Sequence, residues 1–492
     1  MGILLVLALS SCAGDDADYK IKDDIALYKR ELRALPDDLD AHYQLGISYY
    51  KDGNYEDAVK ELETVIEMNP NLPYAYNNLG LAYVGEGRLV KATTAYLRAL
   101  QLDREFMPAR LNLALGYYLA GMFREASAHF EIVLKKDPDN VQALKGLGLS
   151  LLERGRFDEA IAEFEKVLEI EPDNADAYKY MGITYEEKRD IREAIAAYRD
   201  SLRLNPHDAE VHWNLGNIYF VQGYLEGALR EYAYVVDIKP DFKGARFRRA
   251  ITLKELGALR VAAREFESVV ELDEDYPDAH YELGAIYEAI SIRGETVLDA
   301  PEKRYGLEYA GGTLLGEKAA NKKSMLDKAM DEYELELDNN PDDVNAHRAL
   351  GKLYLSGGER EKGIRHFTRI VEIDPTNAET VYELGEAYLG SGNFPLALIQ
   401  WRKAAEMDPA MAIKVWKRVL QARPSMLEAR YRLGLAYMRE GKLAAAIGSL
   451  SAAANAAPKN VAFRQALRRA YRKQEETLVK EGKKRVEEEW WP

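Results

Sequence analysis

The sequence predicts an all-α solenoid of helix–turn–helix repeats, and a 34-residue period is the main observation behind this prediction. Glycine recurs on one register, at Gly46, Gly80, Gly148, Gly182, Gly216 and Gly284, with Ala114 and Ala250 in the two remaining slots. Proline recurs 24 residues after this slot, at Pro70, Pro138, Pro172, Pro206, Pro240, Pro375, Pro409 and Pro458. Because proline cannot continue a helix interior, a helix is expected to end at each of these prolines.

Composition narrows the functional classes. Of the 492 residues, 47% are hydrophobic and 30% are charged, which is typical of a globular protein. The formal net charge of −15 disfavours a general nucleic-acid binder, because phosphate binding needs an excess of Lys and Arg. A single cysteine, Cys12, excludes an internal disulfide and any zinc or iron–sulfur site built from several cysteines.

The amino-terminal stretch indicates export. The apolar run Ile3–Leu9 is too short to span a bilayer, which needs about 20 residues, and is typical of a secretory signal. Leu9-Ser10-Ser11-Cys12 resembles the bacterial lipobox, in which the cysteine is acylated and becomes the first mature residue. We therefore predict a signal peptide at 1–11 and a lipidated tether at 12–18. The alternative is a cytoplasmic protein with an unmodified thiol.

The residue types at fixed positions of each repeat have physical reasons, which the segment 39–72 illustrates. Positions are numbered from Leu39, and the first and second helices of a repeat are called helix A and helix B. Leu45 and Gly46, at positions 7 and 8, lie midway along helix A, where a small residue lets helix B approach. Gly53 is expected in the turn, since glycine accepts positive φ without penalty. Helix B contains Ala58, Leu62 and Val65, and Pro70 ends it. The Asp or Asn that follows the proline can cap the next helix.

The combination of Leu-Gly, Tyr, Ala, an aromatic residue and Pro at fixed offsets resembles the tetratricopeptide repeat. Eleven copies can be aligned, at 39–72, 73–106, 107–140, 141–174, 175–208, 209–242, 243–276, 277–343 with an insert, 344–377, 378–411 and 427–460. The resemblance implies a right-handed superhelical solenoid of about 11 to 12 repeats.

The remaining segments follow from this register. We predict an amino-terminal capping helix at 19–38, repeats 1–8 as far as helix A of the eighth at 39–290, and further repeats at 326–460 with an extra helix at 412–426. Residues 291–325 are either a looped insert or a degenerate repeat. Residues 461–492 form a capping helix and a charged tail.

No catalytic site is predicted. His42, His212, His280 and His347 all fall at position 4, and His129 and His366 at position 23, so the repeat accounts for them. The glycine-rich stretch 311–319 lacks the Gly-Lys-Ser/Thr of a phosphate-binding loop. We expect no cofactor, metal or small-molecule substrate.

A binding surface is therefore expected. In this family, helix A positions 2, 5, 6, 9 and 12 line a concave groove, and asparagines at position 6 bind the backbone of an extended peptide. Applied to this sequence, these family positions predict a partner-binding groove made by Tyr43, Ile47, Tyr50, Asn78, Leu81, Asn112, Leu115, Tyr118, Trp213, Asn214 and Phe220. Further along, the groove becomes charged, with Glu186, Glu187, Lys254, Glu255, Glu288 and Glu386. Core packing is the alternative for the apolar set and solvation for the charged set.

These inferences predict a non-enzymatic protein-interaction scaffold. With Ala13 after Cys12, the lipobox resemblance implies an outer-membrane lipoprotein that faces the periplasm. Such proteins assist assembly of pili and secretins, polysaccharide export or peptidoglycan machinery. The membrane would be contacted through the lipid only, and nucleic acid is not an expected partner. A soluble cytoplasmic adaptor is the alternative. The regulatory half of an enzyme is a third class, but the repeats fill the chain and leave no room for a second domain.

Overall fold

The structure is a computed structural model, and it describes residues 15–293 and 322–480. Cys12, the signal-peptide prediction for 1–11, most of the predicted insert and the predicted charged tail beyond Lys480 lie outside these residues. The described part of the chain contains twenty-five helices and no strand, so the predicted all-α fold class is confirmed.

The helices are α1 Asp15–Ala34, α2 Leu39–Lys51, α3 Tyr55–Met68, α4 Pro73–Gly85, α5 Leu89–Leu102, α6 Met107–Leu119, α7 Phe123–Lys136, α8 Val141–Glu153, α9 Phe157–Ile170, α10 Ala175–Lys188, α11 Ile191–Leu204, α12 Ala209–Val221, α13 Leu225–Ile238, α14 Lys243–Glu255, α15 Leu259–Leu272 and α16 Ala279–Arg293. After the undescribed residues come α17 Lys322–Asn339, α18 Val344–Ser356, α19 Arg360–Ile373, α20 Ala378–Gly390, α21 Phe394–Met407, α22 Ala412–Ala422, α23 Leu427–Arg439, α24 Leu443–Ala456 and α25 Val461–Lys480. α1 begins at Asp15, four residues before the predicted capping helix.

Six helix A starts follow the predicted capping chemistry, whereas α4, α6, α14 and α23 begin without a side-chain cap. The side-chain oxygens of Asn140 and Asn174 each accept a hydrogen bond, at 3.0 Å, from the backbone N–H three residues later, at Ala143 and Ala177. Asp38 and Asp343 cap α2 and α18 in the same way. Each cap satisfies a backbone N–H that has no partner within its helix, so the Asp or Asn after the repeat-ending proline sets the next helix start.

The position-8 glycines make room for a bulky side chain of helix B. A Cβ added to Gly148 would lie 2.6 Å from the ring of Phe164, and one added to Gly182 would lie 2.5 Å from the ring of Tyr198. Both rings are fully buried. The turn glycines have a different role: Gly53 and Gly155 have φ of 78° and 71°, a conformation that other residues adopt only with strain.

The eighth repeat is interrupted between its two helices. His280 on α16 contacts Glu332 on α17, 52 residues away, whereas the corresponding His212 and Glu231 are 19 residues apart. The ring of Tyr333 covers Gly284, as a helix B ring does in the other repeats. This pairing is the geometry of one repeat whose helices A and B are separated by an insert.

The chain comprises two compact units, residues up to Pro240 and residues from Asp241 onward. In the first unit, one apolar cluster surrounds Leu45, Leu62 and Tyr96, and another surrounds Phe130 and Phe164. In the second unit, α22 buries Val415, Trp416 and Val419 in a cluster with Trp401 and Leu433, so the extra helix is part of a core. Among the described residues, no helix is both long enough and apolar enough to cross a bilayer.

Candidate partner-binding surface

All eleven residues predicted to form the groove are partly buried, between the fully covered core and the exposed surface. All lie in the first unit, on helices α2, α4, α6 and α12. Tyr43, Tyr50 and Leu81 touch the buried cluster around Leu45, and Leu115 and Tyr118 touch the cluster around Phe164. These side chains therefore support the core on one side and present their remaining surface to solvent on the other, so core packing and binding are compatible roles.

A chain of amide hydrogen bonds joins the first three repeats. The Asn112 amide nitrogen donates to Asn77 Oδ1 at 2.9 Å, the Asn77 nitrogen donates to Asn78 Oδ1 at 3.3 Å, and the Asn78 nitrogen donates to the Tyr43 hydroxyl at 2.8 Å. Two of these bonds connect residues 35 apart, so positions 5 and 6 of successive repeats share one surface. The sequence did not predict Asn77 as the link, since position 5 varies among the repeats.

Aromatic contacts hold other groove residues in place. Tyr50 lies 5.7 Å, between ring centroids, from Tyr55 at the start of the following helix, and Tyr118 lies 5.4 Å from Phe123 at the equivalent place two repeats later. Tyr43 meets Tyr74 edge-on at 4.9 Å. Aromatic pairs of this kind restrict the rotamers of the rings, so the surface is largely preformed.

Charged side chains interrupt the predicted groove in its middle. Position 5 is lysine in repeats four and five, and both Lys145 and Lys179 are buried. Lys145 Nζ lies 3.7 Å from Asp176, and Lys179 Nζ lies 3.2 Å from Asp208 and 3.5 Å from Glu210. Burial opposes the charge of Lys179, but the surrounding carboxylates outweigh it and raise its pKa. The recurring lysine is the sequence signal that would have identified this cluster.

Beyond the charged cluster, the sixth repeat presents an aromatic segment. Trp213 lies 5.7 Å from the buried ring of Tyr232 and, with Phe220, borders the cluster of Leu215 and Tyr219. The Asn214 amide nitrogen donates to the Tyr198 hydroxyl at 3.4 Å. The structure thus divides the predicted site into an apolar and amide segment on α2, α4 and α6 and an aromatic segment on α12.

The charged positions further along form contacts within their own units. Lys254 pairs with Glu282 at 2.6 Å, and Glu386 accepts from Arg418 at 2.9 Å. Glu186 accepts from the Tyr198 hydroxyl and Glu288 from the Tyr333 hydroxyl. Glu187 and Glu255 are exposed. Solvation therefore accounts for two of the six predicted residues, and internal bonding accounts for the other four.

The histidines at position 4 form a recurring contact. In His42, His212 and His280, Nε2 lies 2.9 to 3.0 Å from a backbone carbonyl oxygen of the preceding turn, and Nδ1 lies 2.5 to 2.7 Å from a glutamate of helix B: Glu61 and Glu231 at position 23, and Glu332 in the equivalent place after the insert. The carboxylate and carbonyl favour the imidazolium and raise the pKa of each of the three despite burial. In the ninth repeat His366 replaces the glutamate and lies 2.9 Å from His347.

Three carboxylates in the second unit also converge: oxygens of Asp278, Glu336 and Asp343 lie within 4.8 Å of one another. Two of them have structural partners, because Glu336 accepts from the Tyr281 N–H and Asp343 caps α18 through the Ala346 N–H. Burial raises the pKa of Glu336, which favours its neutral form beside the other acids. We therefore assign these carboxylates a structural role at the helix ends that they cap.

Comparison with known protein families gives matches along much of the chain. Sequence profiles described as "Tetratricopeptide repeat" match residues 73–106, 111–175, 163–196, 181–241, 348–412 and 382–461, and one described as "TPR repeat" matches 48–87. None of these profiles describes an enzyme.

Similarity to individual proteins is more limited. The chain is 36% identical over 75 residues to "Protein CTR9 homolog" of Arabidopsis thaliana, and 30% identical over 83 residues to "BBSome complex member BBS4" of Bos taurus. These alignments cover 15% and 17% of this chain but only 7% and 16% of those relatives. A tetratricopeptide repeat protein from Parabacteroides merdae, with a solved structure, is 18% identical, with a TM-score of 0.41 over 50% of this chain and 98% of that one.

Proposed function

Because the chain is a tetratricopeptide repeat protein, we propose that it is a non-enzymatic scaffold that binds a peptide segment of a protein partner along the helix A surface of its first six repeats. The observation that carries this proposal is the shared surface of partly buried aromatic, aliphatic and amide side chains in the first unit. One relative is named as a member of a complex, which accords with a scaffold role.

The two segments of the surface would bind different parts of the partner. Tyr43, Ile47, Tyr50, Leu81 and Leu115 offer apolar contact beside the amide chain, so this part suits an extended stretch with apolar side chains. An asparagine amide has two N–H donors and a carbonyl acceptor, so Asn78 and Asn112 retain capacity to bind a peptide backbone after their internal bonds are made. Trp213 and Phe220 would hold a second apolar side chain beyond the Lys145–Lys179 cluster.

The proposal is tested by comparing partner capture from envelope extracts by the wild type and two double variants. Trp213→Ala/Phe220→Ala should lose most of the partner, because buried aromatic residues in an interface often contribute more than about 2 kcal/mol each. Asn78→Ala/Asn112→Ala should weaken capture less, because each removed hydrogen bond contributes about 1 kcal/mol.

A matched control uses apolar side chains exposed elsewhere in the first unit. Val90→Ala/Tyr234→Ala changes side chains that are 81% and 54% exposed and should capture the partner as the wild type does. All variants must first show wild-type helicity by circular dichroism, since Trp213 also supports the core. A partner that binds both groove variants normally, but is lost on deletion of 291–325, would assign docking to the insert instead.

We also propose that the protein is an outer-membrane lipoprotein anchored through Cys12, facing the periplasm and assisting assembly of an envelope complex such as a pilus, secretin, polysaccharide exporter or peptidoglycan machinery. The apolar run that ends in Leu9-Ser10-Ser11-Cys12 supports this proposal. Several acyl chains on one cysteine would hold the protein firmly, since each buried CH₂ contributes about 0.8 kcal/mol.

Fractionation of cells and intact mass of the membrane-derived protein test this anchor. The wild type should start at Cys12 and carry the mass of attached acyl chains, and Cys12→Ser should leave the outer-membrane fraction. A wild-type protein that begins at Met1, lacks added mass and stays in the cytoplasm would instead support the alternative of a cytoplasmic adaptor.

A further inference from the structure

We propose that the outer face of α25, marked by Arg464, Arg468 and Arg472, binds an anionic membrane surface by charge alone. The three arginines are spaced four residues apart, so they lie on one side of the helix. All three are exposed, as are the flanking Arg469 and Lys473. The described residues provide no ion-pair partner for Arg464, Arg468 or Arg472.

Charge is unevenly distributed along the chain. Residues 412–480 contain fifteen Lys or Arg and only four Asp or Glu, although the whole chain has a net charge of −15. The neighbouring α24 contributes no charged residue. Because the Debye length is about 8 Å at physiological ionic strength, the charges that lie closest to this face, rather than the net charge of the whole chain, decide what it attracts.

Repeat position explains why these arginines are exposed. α25 continues the register of the repeat at 427–460, so Arg464 and Arg468 stand at positions 4 and 8. In complete repeats, position 8 is a small residue covered by helix B, as Gly434 is covered by Leu450. Among the described residues no helix B follows α25. Arginine at position 8 would also obstruct close packing of a further apolar helix, which makes this face unsuitable for extending the array.

The apolar side of α25 is already occupied. Phe463, Ala466 and Ala470 are buried against α24, in clusters with Leu450 and Ala453. Insertion of this helix into the acyl region of a membrane would break those clusters. The contact we propose is therefore peripheral, between the arginine side chains and lipid phosphates, and should be released by salt.

The composition of the face favours a membrane over a protein. Protein interfaces are organised around buried aromatic and aliphatic anchors. Within residues 412–478, Val461 is the only large apolar side chain that is exposed. Single-stranded nucleic acids likewise need aromatic stacking platforms, and this face has no exposed aromatic ring. A surface of exposed arginines without an apolar centre suits a broad plane of negative charge.

Vesicle co-sedimentation of the full chain tests the inference, with Cys12→Ser in every protein so that no attached lipid contributes. The protein that keeps all three arginines should bind vesicles of phosphatidylcholine mixed with phosphatidylglycerol, and should bind vesicles of phosphatidylcholine alone much more weakly. Arg464→Glu/Arg468→Glu/Arg472→Glu should reduce partitioning into the anionic vesicles by more than about tenfold, since each basic residue near such a surface contributes substantially. Raised salt should release the protein.

A charge-matched control separates local charge from net charge. Arg124→Glu/Lys135→Glu/Arg192→Glu replaces three exposed basic residues of the first unit and changes the net charge by the same amount as the α25 variant. It should leave vesicle binding within about twofold of that of the Cys12→Ser protein. Circular dichroism must show equal helicity for both triple variants. Equal loss in the two, equal binding to neutral vesicles, or binding to duplex DNA but not to anionic vesicles would each overturn the proposal.

Discussion

At the residue scale, the repeat uses histidine as a polar link between three segments. His280 contacts the Glu274 carbonyl of the preceding turn through Nε2 and Glu332 of helix B through Nδ1. The hydrogen bond to Glu332 is the main cause of the raised pKa of His280. A raised folded-state pKa stabilises the fold below the unfolded pKa of about 6.5, and this contribution is lost as the pH rises through the folded value.

The ninth repeat has the opposite pH dependence. Burial, together with the neighbouring His347 and Arg365, lowers the pKa of His366 to about 4. The stability that neutral His366 contributes is therefore fully present above about pH 6.5 and is lost as the pH falls toward 4. The ring of Tyr354 stacks on His366, with 5.5 Å between the ring centroids. The Tyr354 hydroxyl donates a hydrogen bond to Glu334, so the Glu334 carboxylate has a partner of its own.

His366→Glu should abolish this acid sensitivity, because the variant carries the carboxylate that faces position 4 in three other repeats. In the wild type, hydrogen exchange of amides in 344–377 should show lower protection at pH 5 than at pH 7, after correction for intrinsic rates. The loss is at most about 1.4 kcal/mol per pH unit for one proton. The repeat at 209–242, with its His212–Glu231 pair, is the internal control. Equal acid sensitivity of both repeats, or no change in the variant, would contradict this account.

At the element scale, helices A and B of a repeat pack closely because a small residue of helix A lies under a large side chain of helix B. Phe164 occupies the space that a side chain at position 148 would need. Such cores are close-packed, so one additional methyl group forces a ring or a backbone to move. Helical glycines without this contact also exist: a Cβ at Gly448, on α24, would have no neighbour within 4 Å. The same substitution therefore has opposite expected effects at the two sites.

Gly148→Ala should destabilise its repeat by about 1–3 kcal/mol, whereas Gly448→Ala should stabilise by up to about 1 kcal/mol, since alanine favours helix. Hydrogen exchange should place the loss in 141–174, fading into the neighbouring repeats, as expected for nearest-neighbour stacking. A bulkier Gly148→Trp should give the same centre with a greater loss. Uniform loss of protection in all repeats would argue against nearest-neighbour behaviour, and a harmless Gly148→Ala would refute the packing role of Phe164.

At the scale of the whole molecule, stability is distributed among local clusters. The first unit buries Leu45, Tyr96, Phe130 and Tyr198 in successive clusters, each built from neighbouring repeats. In an array of this kind, stability is approximately a sum of repeat terms and nearest-neighbour interface terms. A run of several complete repeats should therefore have enough buried apolar surface to fold.

A fragment of residues 15–240 should consequently fold as a monomer with helical content per residue close to that of the full chain. It should unfold cooperatively in urea, because its repeats stack on one another and share clusters. Circular dichroism and analytical ultracentrifugation measure both properties. A fragment of residues 15–90, with too few repeats for stability, is the comparison and should be much less helical. A largely unfolded 15–240 fragment would show that the first unit depends on residues beyond Pro240.

Within the regular repeats, the sequence alone indicated the helix pairs, many of their caps and their turns, since each depends on local rules repeated every 34 residues: Asn174 caps a helix, Gly53 adopts positive φ, and Gly148 admits a ring. Side-chain partners were decided by tertiary structure. Asn78 bonds Tyr43 and Lys179 bonds Asp208 because stacking brings residues 29 to 35 apart onto one surface. The pairing of α16 with α17 across the insert likewise depends on packing, since Tyr333 fits Gly284 whatever number of residues separates them in the chain.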